Sequence, residues 1–521
     1  MTTSTTQTSV VFSKNTNQAL GIGRFAVDFM CGTIGNPSQD VLNRTTLFFT
    51  DAVLCGLSAI AVKTNAPTVL RNEALLFPVE NGATVFGSDT SVFPEKAILA
   101  NCAAVREWDS NGTNFGYNPT LGHTAGEFGH NDFYSVPVAA AQIMNLDGNA
   151  ALRGMVLLDE IRGRLAEVFS LKTYKIDHVL YGAIASAAVY GAMCGASPEQ
   201  IESAIGMCVA HFVPWRAIRA GKQLSDSKGS SAAISTEVAI VSMKRSMGGF
   251  MGPRDIFRNP ESMFRQFEHT GGDSPFDLVL SHSGSDFAVM GMHFKIGLYE
   301  HQSAGALQGL LNLIEKNPTI AEDPSQIECI KITAYEPAFG IIGDPAKRDP
   351  KTRQSADHSM VYIVSAMLKK ASGVVDSDGI GFFDKSNDEV WKRLMLTPYD
   401  FDIDAITNET TRSIMETIVF DHGGSVFDEK YPDGIPTSVL ITMKSGDVFD
   451  SGLIMYPSGH ARNKTCDLSD ILQAKFAMHG QIAMDDPSIV IDRCKNIAKL
   501  DSDSMQSIWD IPLANRPVYK D

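Results

Sequence analysis

The sequence predicts a mainly α protein. A large all-helical domain is expected over residues 21–290, a smaller α+β domain over 291–465, and C-terminal helices over 466–521 that return to the first domain. Three observations predict it. Capped helical patterns fill most of the chain up to about residue 320. Period-two, β-branched runs are confined to the stretch between residues 290 and 465. From Asp467 onward the helical period resumes. At 521 residues the chain also exceeds what one core normally holds.

Each element has a local reason. Residues 1–20 are Ser/Thr-rich and are expected to be disordered or loosely attached. Asn36-Pro37 reads as an N-cap with proline at the first helical position, followed by the apolar body LFFTDAVLCGLSAIAV. Residues 84–106 read as a short loop and a helix. Residues 107–135 are rich in Gly, Asn, Asp and His and have no helical period, the signature of a functional or disordered loop. Helical patterns resume at 136–145 and 150–171. Residues 179–196 carry no charge and mimic a membrane span, but Gly, Ala and Ser dominate them, so a buried helix is expected. Ser197 and Gln200 stand at capping-box spacing before the next helix. A polar, basic loop follows at 212–231, then a helix at 232–247. Residues 327–335 read as a strand, 355–371 as a helix, and 436–443 with 446–456 as a hairpin.

A net charge of −16 argues against nucleic acid and anionic membrane as partners. It also means that an anionic substrate must be held by a few local cations. The eight cysteines have no CxxC pair and no zinc spacing, so neither a metal nor an iron–sulfur cluster is expected. The first twenty residues have no apolar run and one cation, Lys14, so no secretory or mitochondrial leader is expected. A cytoplasmic location follows, with the mitochondrion as the alternative.

Ionisable groups concentrate in four patches: Asp109, Thr113, His123, Glu127, His130 and Asp132; Asp177-His178; Arg216, Arg219, Lys222 and Lys228; and Lys295, Tyr299 and His301. A lyase acting on a polycarboxylate needs these types. Lys and Arg bind carboxylates by charge-assisted hydrogen bonds, and His moves protons near neutral pH. Each patch also has a structural reading. Asp109 and Thr113 can cap loop turns, His178 can simply start a helix bonded to Asp177, and Lys228, Lys295 and His301 can be solvated faces.

The order and spacing of the patches resemble the MmgE/PrpD family, which contains 2-methylcitrate dehydratases, alkylcitrate dehydratases and cis-aconitate decarboxylases. WDSNGTN (108–114) is similar to its Leu-Asp-x-x-Asp-Thr loop, GHNDFYSVPVAAA (129–141) to its His-containing helix start, and DHVLYGAIASAAVYGAMCGASPEQIESAIG (177–206) to its Asp-His-Val-Leu helix. WRAIRAG with SDSKGSSAA (215–233) resembles the basic stretch, FKIGLYEHQSAGA (294–306) the Phe-Lys-Ile stretch, and ADHSMVYIVSAML (356–368) and YPSGHARN (456–463) the lid. There are departures. Asn131-Asp132 replaces Pro-Ser after His130, Ser227 replaces an Arg, and the bulky ring after Lys228 is gone, which leaves room for a longer alkyl chain. The decarboxylase form has a His soon after that Lys, where this chain has Gly229, Ser230 and Ser231.

The resemblance implies a helical domain facing an α+β lid, a homodimer, and a cofactor-free hydro-lyase. Its substrate would be a citrate-like tricarboxylic acid, dehydrated to an aconitate-like alkene. His178, His130, Asp109 and Lys228 would be catalytic, with His178 and His130 exchanging protons and Asp109 orienting one of them. Thr113, Arg216, Arg219, Lys295 and His301 would bind substrate. The alternatives are decarboxylation of a cis-aconitate-type acid and a catalytically silent binding relative. Lys228, at a helix start whose backbone N–H groups favour an anion, is expected to be replaceable by Ala without loss of the fold but at a cost of at least about tenfold in turnover or substrate affinity.

Overall fold

Among the described residues helices dominate, and one four-stranded sheet sits among them, together with four two-stranded ladders. The computed structural model describes residues 8–219 and 223–521. The expectations for residues 1–7 and for Lys222 lie outside the described residues.

The helical layer joins helices that lie far apart in sequence. The Gln39–Ala61 helix packs on Pro94–Glu107, which in turn packs on Asp226–Met247. The uncharged stretch forms the Val179–Met193 helix, wedged between Gly148–Val168 and Asp226–Met247 and buried along almost its whole length. Gly182 explains one close contact there. A Cβ at this position would lie 1.9 Å from the Phe133 ring, so only glycine lets the 129–134 segment lie against the start of this helix. Ser197 and Gln200 form the capping box that their spacing implies. The Gln39–Ala61 helix is long and apolar enough to cross a membrane, but it is buried inside the protein.

In the sheet, Ile327–Ala334 is central. Ile418–His422 runs parallel to it on one side, Thr437–Met443 antiparallel on the other, and Val448–Asp450 completes a hairpin at that edge. Ile330, Ile332, Val439 and Ile441 turn to the buried face with the alternation that a half-covered sheet demands. The Ala304–Lys316 helix lies across that face, and Gly305 permits the approach, since a Cβ there would meet Thr437 Oγ1 at 2.6 Å. The Leu468–Ala483 helix packs back on Gln39–Ala61 and ties to it by the buried Lys475–Asp51 ion pair at 2.7 Å.

Several expectations need correction. Residues from Ser9 onward are ordered: Ser9–Phe12 pairs with Leu278–Ser281, and a helix begins at Gln18. Asn36-Pro37 is not a helix start. It bridges to Ser283-Gly284, and the helix starts at Gln39 behind Ser38, whose hydroxyl accepts from Val41 N. The helix expected at 232–247 begins at Asp226, and the one expected at 355–371 spans Met360–Asp378 behind a separate turn, Arg353–Ala356. Lys228 therefore sits in the first turn of its helix, and it is 1% exposed rather than solvated.

Candidate active site

The polar loop after the Pro94–Glu107 helix is buried, and its neighbours hold it on every side. Trp108 Nε1 donates to Ser58 Oγ at 2.9 Å, and Lys475 Nζ to Ser110 O at 2.6 Å. Asn131 N donates to Gly112 O, Asn111 Nδ2 to Asp132 Oδ1, and Thr113 and His293 exchange backbone bonds. Thr113 Oγ1 donates to Gly129 O at 2.8 Å, joining the loop to the short ladder that carries His130. Buried backbone and side-chain polar groups demand such partners.

This anchoring places the Asp109 carboxylate at a hub. Arg106 Nη1 lies 2.8 Å away, Lys228 Nζ 3.5 Å and His358 Nδ1 3.2 Å, and Lys295 Nζ makes a short ion pair with the same group. Burial pushes the carboxyl up, but Arg106, Lys295 and Lys228 outweigh it and hold it well below the usual range. Asp357 forms a second node, 2.9 Å from Lys228 Nζ, 3.2 Å from Arg353 Nη1 and 2.7 Å from His358 Nδ1. Burial lowers the pKa of Lys228 and of Lys295, and the facing carboxylates oppose it.

A narrow cleft lies in front of this network. Thr113, Phe115, Phe128, His130, His178, Arg216 and Arg219 line it from the first half of the chain, and Glu300, Gln302, Ile341, Lys347 and His358 from the second. The His130 and His178 rings are 5.0 Å apart, centre to centre. His130 Nε2 lies 3.4 Å from Arg106 Nη2, and His178 Nε2 lies 3.4 Å from Arg219 Nη2. Arg219 is itself fixed by a buried ion pair with Asp177. Burial drives His178 down to about 3 and His130 well below its ordinary value, and the adjacent arginines add to the effect. In the same cleft, burial and Asp109 raise Glu300 to about 7, and burial lowers Lys347 to about 8. Burial, with Lys228, lowers His358 to about 3.

The sequence-predicted residues are thus one contiguous group, but not one lining. Thr113, His130, His178, Arg216 and Arg219 face the cleft. Lys228, Lys295 and Asp109 stand behind it as an ion network. Asp109 touches neither His130 nor His178; it reaches His130 through Arg106 and bonds His358 directly. His301 is fully buried, with its ring against Phe115 and His293 at 5.4 and 5.3 Å. His123 and Glu127 are engaged away from the cleft, with Glu167 and Lys172 N. Tyr299 Oη accepts from Ile296 N. The sequence reading passed over Glu300, Lys347 and His358. The available signal was the Asp-His pair at 357–358, which repeats the pair at 177–178.

Among the described residues, the group whose donor atoms approach closely enough for a metal is Asp109, Asp357 and His358. Four cationic side chains, Arg106, Lys228, Lys295 and Arg353, already share these carboxylates, and the Nδ1 that faces them must carry a proton to bond them, so the set fits a proton network better than a metal. Other polar atoms here have no partner among the described residues: His130 Nδ1, Gln302 Oε1, both His301 nitrogens and Tyr335 Oη. Buried orphans of this kind mark places where a ligand or water completes the bonding.

Comparison with known proteins adds a family. The MmgE/PrpD N-terminal domain matches residues 25–274, and the MmgE/PrpD C-terminal domain matches residues 299–430. A 2-methylcitrate dehydratase of Salmonella typhi is 23% identical over 442 residues, covering 82% of this chain and 84% of its own length. The mitochondrial 2-methylcitrate dehydratase of Yarrowia lipolytica is 25% identical over 462 residues, covering 85% and 80%. An alkylcitrate dehydratase, phiI, of a fungal species is 23% identical over 354 residues, covering 68% and 64%.

Proposed function

This chain belongs to the MmgE/PrpD family, and from that premise we propose that it is a hydro-lyase that dehydrates a citrate-like tricarboxylic acid, 2-methylcitrate or a longer alkylcitrate, to an aconitate-like alkene. The observation that carries the reading is the pairing of His130 with His178, 5.0 Å apart in one cleft with Arg216 and Arg219. The relatives' names point to the same chemistry.

In this reading Arg216, Arg219 and Lys347 hold carboxylates, because they are the cations that face the cleft. Thr113 and the unpartnered Gln302 add polar contacts. Lys228 and Lys295 act at one remove, keeping Asp109 and Asp357 ionised. His301 stands outside the lining, fully buried against Phe115 with both ring nitrogens unpartnered among the described residues. The histidines that line the cleft move protons at the reacting carbons. A bound trianion favours their charged forms, so a ring that is neutral in the empty cleft can carry the proton that the leaving hydroxide takes.

The test is direct. Purified protein is incubated with citrate, 2-methylcitrate, longer alkylcitrates and cis-aconitate, with alkene absorbance and carbon dioxide followed together. Alkene formation from an alkylcitrate without carbon dioxide is the expected result. Carbon dioxide release from cis-aconitate would replace the reading with a decarboxylase, and no turnover of any acid would overturn it.

A further inference from the structure

Three histidines line the cleft, and the groups behind them do not fix the same tautomer. His358 Nδ1 lies 2.7 Å from Asp357 Oδ1 and 3.2 Å from Asp109 Oδ2. An ionised carboxylate only accepts, so Nδ1 carries the hydrogen and Nε2 keeps a lone pair. No protein group among the described residues bonds that Nε2. His130 and His178 are the reverse. Each turns Nε2 to an arginine N–H, 3.4 Å away in both cases, and a guanidinium only donates. Their Nε2 atoms accept and their Nδ1 atoms carry the hydrogen, so both present a donor. The His130 Nδ1 is one of the buried atoms without a partner.

We propose that His358 is the base that takes the carbon-bound proton of the substrate, with Asp357 as the positioning carboxylate that holds its tautomer; this rests on the hydro-lyase reading of the cleft.

The placement suits the role. Asp357 and His358 form the joint between the Arg353–Ala356 turn and the Met360–Asp378 helix. Glu300 N donates to Asp357 O at 2.9 Å, so the joint is pinned beside another residue of the cleft. A substrate in the cleft meets a lone pair from His358 and donors from His130 and His178. His358 takes a proton from the carbon next to a carboxylate. The C–H electron pair becomes the second bond of the alkene, and the C–O bond breaks with its pair on oxygen. The leaving hydroxide takes a proton from His130 or His178 and departs as water. His358 then returns its proton to solvent, and the donor is reprotonated. The imidazolium formed in between lies against Asp357 and Asp109, which stabilise it. Lys228 behind the ring opposes it, as do Arg216, Arg219 and Lys347 in the same cleft, and Glu300 adds one further carboxyl.

The experiment combines the tautomer with the kinetics. In full-length protein labelled with nitrogen-15 in histidine, His358 is expected to show a protonated Nδ1 and a bare Nε2 at neutral pH. With an acid that the wild type dehydrates, His358→Gln is expected to lower kcat at least about 100-fold, the lower end of what a general base contributes. Its KM should stay within about threefold, and the fall of kcat at low pH should disappear. Asp357→Asn should shift that fall along the pH axis, which a merely structural role would not do. His358→Asn serves if His358→Gln does not fold, and the wild-type spectrum needs no variant. A hydrogen on Nε2, or a variant with wild-type kcat and pH profile, overturns the base assignment alone. A wild type that turns over no acid overturns the hydro-lyase reading, and the base assignment with it.

Discussion

Two Asp-His pairs bring their rings to one cleft, each at the start of a long helix, and they are wired in opposite senses. In Asp177-His178 the carboxylate is bound to Arg219, and the ring turns Nε2 toward the same arginine. In Asp357-His358 the carboxylate is bound to Lys228 and Arg353, and the ring turns Nδ1 to the carboxylate. A third pair, Asp421-His422, lies on an edge strand, where His422 bonds Asp428 in the open. The same dipeptide therefore makes a donor, an acceptor or a surface contact. What decides is which charged side chain stands third in the group and which ring nitrogen it reaches.

This contrast can be broken at its strongest point first. Lys228→Met removes the cation shared by Asp357 and Asp109 and leaves two buried carboxylates short of a partner. A loss of about 3–5 kcal/mol is expected from urea unfolding, as for other broken buried pairs. A loss under about 0.5 kcal/mol would show that Lys228 holds neither carboxylate.

The two carboxylates should also fail differently. Asp357 holds a ring, so its loss acts on kcat. Asp177 holds an arginine that faces the cleft, so Asp177→Asn should raise KM about tenfold, the worth of roughly 1.4 kcal/mol of binding, and leave kcat within about threefold. If Asp177→Asn lowers kcat as Asp357→Asn does, the two pairs are equivalent and the contrast fails.

A smaller effect is the pH dependence of stability. Both rings titrate near 6.5 when unfolded and near 3 in the fold, so between these values the unfolded chain binds more protons. The stability that each neutral ring contributes is complete above about pH 6.5 and is lost as pH falls toward 3. Melting curves from pH 7 to 5 should therefore fall less steeply for His178→Gln and for His358→Gln than for the wild type. Equal slopes would mean that neither ring is held neutral. Smallest of all, His422→Gln should change stability by less than about 0.5 kcal/mol and kcat not at all, since its ring is exposed.

Much of this could be read from residues alone. The capped helices and the alternating strands are local features, and the Ser197–Gln200 capping box appears where its spacing puts it. The strand at Ser9–Phe12 could not be read, because a Ser/Thr-rich segment is ordered only by a partner at Leu278–Ser281. The polar loop at 107–135 announced a site, and His130, His178, Arg216 and Arg219 face one cleft. Lys228 was read as a catalytic cation and Lys295 as a substrate-binding one. Their partners are Asp357 and Asp109, which are 129 and 186 positions away in the chain, and no local pattern shows such pairings. His358 was hidden in an amphipathic helix, and only the repeated Asp-His pair pointed to it.

The cleft has about 40 Å³ of free room, enough for roughly three water molecules. A tricarboxylic acid is far larger. Ile341 and Lys347 roof the cleft from the 338–347 segment, which belongs to neither the helical layer nor the sheet. Capture of substrate must then wait for that roof to lift. The second-order rate constant should fall below the limit set by diffusional encounter and track how often the segment opens.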